Sequence, residues 1–130
     1  MTAYGVLGAG RQGTAAAYDL AVHGGATRLL IADRDGPAAH AAAERLNRLL
    51  GREAVEPLAV DAGERRALER FLDPLDVVVC AVPYARLLPI TRAAIAAGTG
   101  MVDMGGPTET ALAQLAMHPD ARQAGVAVVP

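Results

Sequence analysis

Apolar runs alternate with helical stretches along this chain, which predicts a doubly wound α/β fold. About six parallel strands are expected, in the order 3-2-1-4-5-6, with helices on both faces. Three observations carry that expectation. The strand candidates are near-continuous apolar runs, Val77–Val82 most clearly, as a sheet covered on both faces requires. Gly8-Ala9-Gly10-Arg11-Gln12-Gly13 sits directly after the apolar run Tyr4-Gly5-Val6-Leu7 and opens a helical stretch. An acidic residue, Asp33, follows Gly13 by twenty positions, at the end of Leu29-Leu30-Ile31-Ala32. Glycine loop, helix start and distant acid together form the fingerprint of a dinucleotide-binding βαβ unit.

The elements follow in order. Strands are expected at Ala3–Leu7, Arg28–Ala32, Val55–Val60, Asp76–Ala81, Gly100–Asp103 and Val126–Val129. Helices are expected at Arg11–His23, Pro37–Leu50, Glu64–Phe71, Ala85–Ala97, and from Thr108 to about Gln123. The last should break at His118-Pro119, because a residue before proline is pushed away from helical geometry. Gly24-Gly25, Gly51 and Gly98 stand where a helix ends on a left-handed residue. Asp35 and Thr108 are the expected N-caps, and Ala42, Leu46, Leu49 and Leu50 the expected inward face of the second helix.

Bulk composition narrows the function. A chain of 130 residues suits a single domain spanning 1–130 and can bury roughly two-thirds of its unfolded surface. Its apolar residues make up 52% and its aromatics 3%, so the core is built of alanine, valine and leucine and its layers must lie close together. A net charge of −2 gives no basic footprint, so nucleic acid is not an expected partner. All 12 cationic residues are arginines, which removes lysine Schiff-base or general-base chemistry. The single cysteine, Cys80, lies in an apolar run and is read as core; no metal cluster is indicated. The first strand begins near Met1 and no apolar stretch reaches ~20 residues, so a cytoplasmic chain with no membrane association is expected.

In an open α/β sheet, ligands bind beyond the carboxyl ends of the strands, so the residues there are the candidate site. Gly8, Gly10, Arg11, Gln12 and Gly13 are expected to hold a pyrophosphate. Gly8 turns the chain, Gly10 leaves bare backbone, Gly13 lets the helix lie close, and the helix N-terminus supplies unpaired N–H groups. Asp33 suits both hydroxyls of an adenosine ribose, which favours NAD, since its charge repels the 2′-phosphate of NADP. Arg34 can stack on adenine, pair with that phosphate, or be a solvated surface charge. Ala81, Val82 and Pro83 end the fourth strand, either beside the nicotinamide ribose or as a plain turn. Asp103, and similarly Tyr84, points to the nicotinamide end, with a loop-capping carboxylate as the other reading. The three histidines, His23, His40 and His118, read as surface or capping residues.

Several stretches are more specific than the glycine loop. Ala17-Tyr18-Asp19-Leu20 follows GAGRQG, Ala32-Asp33-Arg34-Asp35 follows the second strand, and Val60-Asp61-Ala62 follows the third. Asp76–Tyr84 (DVVVCAVPY), Met101–Glu109 (MVDMGGPTE) and Gly125–Pro130 (GVAVVP) complete the set. With these, essentially the whole chain resembles the N-terminal NAD(P)-binding Rossmann domain of the saccharopine dehydrogenase-like family, above all its lysine dehydrogenase members. The resemblance implies hydride transfer from an amine-bearing carbon to nicotinamide, and places Asp61 and Ala62 beside the adenine; capping of the next helix is the other reading of Asp61. It also implies a second domain that binds the amino-acid substrate and forms a homodimer, which this sequence lacks. The general base would then lie outside the chain, leaving the chain alone inactive. Two rivals share the glycine loop and Asp33: a non-catalytic dinucleotide-sensing module, and a methyltransferase using S-adenosylmethionine. The AVPY and VDMGG segments fit the first less well, and the helix-opening Gly13 argues against the second.

Overall fold

The computed structural model describes residues 2–130. Its strands are β1 (Thr2–Leu7), β2 (Ala26–Asp33), β3 (Glu56–Ala59), β4 (Val77–Cys80), β5 (Gly100–Asp103) and β6 (Val128–Val129). They form one sheet in the order β3-β2-β1-β4-β5-β6, parallel throughout. This is the doubly wound order expected from the sequence. Helices α1 (Arg11–His23) and α2 (Gly36–Leu50) connect the β1–β2–β3 half. Helices α3 (Arg65–Leu72), α4 (Leu87–Ala97), α5 (Thr108–Leu115) and α6 (His118–Ala124) serve the other crossovers. With right-handed crossovers, α1 and α2 lie on one face and α3 to α6 on the other.

The apolar runs are explained by this double covering. Successive side chains of β2 point to opposite faces. Leu29 and Ile31 join Val6, Ala17, Ala42, Ala43, Leu46 and Val55 under α1 and α2. Leu30 and Ala32 join the cluster under α3 and α4, with Phe71, Leu72, Ile90 and Met101. Cys80 is fully buried in that second cluster, as its neighbours imply.

The ends of the elements differ from expectation in instructive ways. β3, β4 and β6 are shorter than their apolar runs. β3 is an edge strand carrying Pro57, which has no N–H for a ladder, and β6 pairs only through Met101 and Val102. The stretch expected as one helix from Ala85 opens with a 3-10 turn, Tyr84–Arg86, closed by Arg86 N–H on the Pro83 carbonyl at 2.9 Å. Pro89 explains it: the proline has no N–H to bond back four residues, so regular helix begins only at Leu87. The last helix divides after Leu115, and Pro119 falls in the first turn of α6, where its missing N–H is not needed.

Asp35 caps α2 through the Ala38 N–H at 3.1 Å, as expected. Thr108 does not cap α5. It is the first helical residue, behind an extended Pro107 that starts the helix without a side-chain bond. Gly51 and Gly98 are left-handed, and of the Gly24-Gly25 pair only Gly25 is. Leu49 departs from its expected inward face and is 65% exposed. The buried stripe of α2 is Ala39, Ala42, Ala43 and Leu46, and Leu49 borders an open groove against Tyr18 of α1.

Candidate functional site

The carboxyl ends of β1 to β4 frame a cleft of about 400 Å³. Of the residues singled out in the sequence it brings together Gly8, Gly10, Asp33, Arg34, Asp61, Ala62, Ala81, Val82 and Pro83. Each is delivered by a strand end. Backbone bonds running past the strands hold the loops: Gly8 N–H on Ala32 C=O at 2.7 Å, Ala81 N–H on Leu7 C=O at 2.8 Å, and Val60 N–H on Asp33 C=O at 2.9 Å.

The glycine loop turns where two backbones nearly touch. Gly8 has φ +107°, and a Cβ there would run into the Ala81 carbonyl across the β1/β4 reversal. A Cβ on Gly13 would strike the Gly8 carbonyl, so only glycine lets α1 pack this close to the loop. Gly10 differs: a Cβ there would meet no heavy atom within 4 Å, and the residue borders the cleft. As the N-cap of α1 it contributes no side-chain bond, which leaves the first N–H groups of the helix to an incoming acceptor. This is a cradle suited to a phosphate group. Arg11 and Gln12 lie exposed in the first turn of α1, Arg11 on the groove between α1 and α2.

Asp33 is the last residue of β2 and is only partly buried. Its Oδ2 accepts the Ala9 N–H at 2.9 Å and its Oδ1 the Asp35 N–H at 2.9 Å. Asp61 is exposed. Its Oδ1 accepts the Gly63 N–H at 2.8 Å in a tight turn, while Glu64, not Asp61, occupies the N-cap position of α3. Asp33, Asp61 and Arg34 make no ion pair with one another within 4 Å.

Asp103 sits apart from this cleft. It is 8% exposed; Oδ1 accepts the Gly105 N–H at 2.7 Å and Oδ2 a Gln114 Nε2–H at 2.7 Å. Gln114 also donates to Thr91 Oγ at 3.1 Å, which in turn donates to the Leu87 carbonyl at 2.7 Å. This buried chain ties the Met104-Gly105-Gly106 loop to α4 and α5. Burial, and secondly the Asp103 carboxylate, push the Cys80 thiol up from its ordinary value near 9 to about 12. Tyr84 is exposed, and its Cβ lies 3.1 Å from where a Gly106 Cβ would be, so the AVPY and VDMGG segments meet.

Arg86 also lines the cleft, although a helix expected from Ala85 makes it an ordinary surface cation. His23, His40 and His118 are all exposed and none lines the cleft. Among the described residues there is no cluster of metal-ligating side chains and no helix long and apolar enough to cross a membrane.

Comparison with known proteins adds the decisive observation. The saccharopine dehydrogenase NADP binding domain matches residues 4–129, nearly the whole chain. The chain belongs to this family. It is thus an NAD(P)-binding domain of the dehydrogenase type. Apo saccharopine dehydrogenase (L-Glu forming) from Saccharomyces cerevisiae superposes with a TM-score of 0.79 over 98% of this chain and 26% of that one; at 23% identity the likeness is one of fold. Quinate/shikimate dehydrogenase (NAD(+)) from Corynebacterium efficiens is 40% identical over 87 residues, 67% of this chain and 28% of the relative. Quinate dehydrogenase from Corynebacterium glutamicum, solved with NAD, has a TM-score of 0.65 and 30% identity over 98% of this chain and 43% of that one. The chain thus spans little more than a quarter of the curated relative it matches at 40% identity.

Proposed function

We propose that this chain is the cofactor-holding part of a dehydrogenase that removes hydride from a carbon bearing an amine or a hydroxyl, with NAD preferred over NADP. One observation carries the reading: an uncapped helix N-terminus behind the Gly8–Gly13 loop lies beside a carboxylate, Asp33, at the β1/β4 reversal. The nicotinamide, when bound, supplies the hydride chemistry itself. The first N–H groups of α1 would hold the pyrophosphate, with Gly10 leaving room. Asp33 would accept from the ribose hydroxyls while keeping its bond to the loop, and would oppose a 2′-phosphate. Asp61 and Ala62 would border the adenine, and Ala81, Val82 and Pro83 the nicotinamide ribose. Asp103 would act through its loop.

The amine-bearing substrate, an amino acid of the lysine or saccharopine type, is supported by the family and by the AVPY and VDMGG segments. A hydroxyl-bearing substrate is the second reading, favoured by the 40% identity to a quinate/shikimate dehydrogenase. In either case the substrate pocket, the dimer contact and the general base belong to a further domain. A regulatory module that only senses the dinucleotide would share the cleft but require no such domain. Supplying the purified 130-residue chain with NAD and lysine, saccharopine or quinate, and following NADH, tests this. Cofactor binding without turnover is expected; sustained NADH production would contradict the division of labour.

A further inference from the structure

We propose that Arg86 is a base-binding residue of the cleft, forming one of two arginine walls between which the base of an adenine nucleotide stacks. The inference rests on the dinucleotide reading above and assigns a role to a side chain which that reading leaves idle.

Two arginines line the cleft from different sides of the sheet, and Arg86 also borders the adjoining groove beside α3. Arg34 comes from the loop into α2, on one face, and Arg86 from the 3-10 turn into α4, on the other. Arg86 reaches across to the segment after β3: its Nη1 lies 2.7 Å, and its Cζ 3.6 Å, from where a Gly63 Cβ would be. The absence of that Cβ leaves room for the Arg86 guanidinium beside Gly63. Among the described residues Arg86 has no ion-pair partner within 4 Å and no side-chain hydrogen bond, so its donors and its face are uncommitted.

The surrounding chemistry suits a base better than a phosphate. Asp33 and Asp61 also line this end, and their carboxylates would repel an anion. Asp61 has one oxygen in the turn and its other free to accept from an exocyclic amine. Arginine stacks face-on with aromatic rings, and its always-charged plane gains from the ring quadrupole. A neutral aminopurine satisfies both the carboxylate and the two planes. The phosphates have their own place at the α1 N-terminus.

Isothermal titration of the 130-residue chain with 5′-AMP, NADH and NADPH tests the assignment. Arg86→Ala is expected to weaken all three by one common factor, about 3- to 30-fold. Arg86→Lys keeps the charge and loses the plane, so it should not restore binding. A loss confined to NADPH, full rescue by lysine, or unchanged affinity would each overturn the role. Arg86→Gln serves the same comparison if Arg86→Ala does not fold. Wild-type protein that binds no adenine nucleotide would sink the dinucleotide reading itself. Wild-type binding with an indifferent Arg86→Ala sinks the Arg86 role alone.

Discussion

Asp33 Oδ2 accepts the Ala9 N–H at 2.9 Å, joining the acid at the end of β2 to the middle of the glycine loop. The two halves of the fingerprint, far apart in sequence, are therefore one bonded unit before any ligand enters. Asp33→Ala should cost stability as well as affinity. Loss of a bond to a charged acceptor predicts destabilisation of about 1–3 kcal/mol in urea unfolding. Amide exchange at Ala9 should rise in the same variant; unchanged protection there would show that the bond does not form in solution.

Gly13 and Gly10 separate stability from binding. A Cβ at Gly13 strikes the Gly8 carbonyl, a backbone atom that cannot swing away. Gly13→Ala is expected to lose about 1–3 kcal/mol or more, with dinucleotide binding lost alongside. Gly10→Ala meets no protein atom and has an ordinary φ of −77°. Its urea midpoint should stay near wild type while dinucleotide affinity falls, because the added methyl occupies the cradle.

Cys80 makes the alkaline limb of stability readable. Its thiol titrates at about 12 in the folded protein, raised first by burial and then by Asp103. A raised folded value means that the contribution is complete below the unfolded value, near 9, and is lost as pH rises toward 12. Between pH 9 and 11 the stability advantage of wild type over Cys80→Ala should shrink by about 1 kcal/mol per pH unit. Parallel pH profiles would contradict the burial of this thiol, as would fast reaction with a thiol reagent in native buffer.

Gln114 holds Asp103 and Thr91 together inside the α4–α5 contact. Gln114→Leu leaves a buried carboxylate oxygen without its donor, predicting a loss of about 1–3 kcal/mol by urea unfolding. The nearby MVDMGG loop should loosen with it, visible as faster amide exchange at Gly105. A variant as stable as wild type would mean that water replaces the amide.

Much of this was legible in the sequence because the informative residues act locally. Gly8 and Gly13 are required by backbone approach, Asp35 by a helix start, and Val77–Cys80 by burial on both faces. Strand order followed from right-handed crossovers together with the doubly wound fold that the glycine loop and Asp33 indicate. What escaped depends on long-range contact or, at Arg86, on a local break in the helix. Leu49 has the right helical phase but lies beyond the edge of its cover, and Arg86 is turned into the cleft by a 3-10 turn that Pro89 imposes downstream. The internal bonding of Asp103 depends on Gln114, a polar helix residue whose burial no local pattern marks.

The most direct test of the central claim is isothermal titration of the wild-type chain with NADH, NADPH and S-adenosylmethionine. One saturable site is expected for NADH, with weaker binding of NADPH because the Asp33 carboxylate would oppose a 2′-phosphate, and none for S-adenosylmethionine. Failure to bind either dinucleotide, or tighter binding of S-adenosylmethionine, would contradict the assignment of the Gly8–Asp33 cleft.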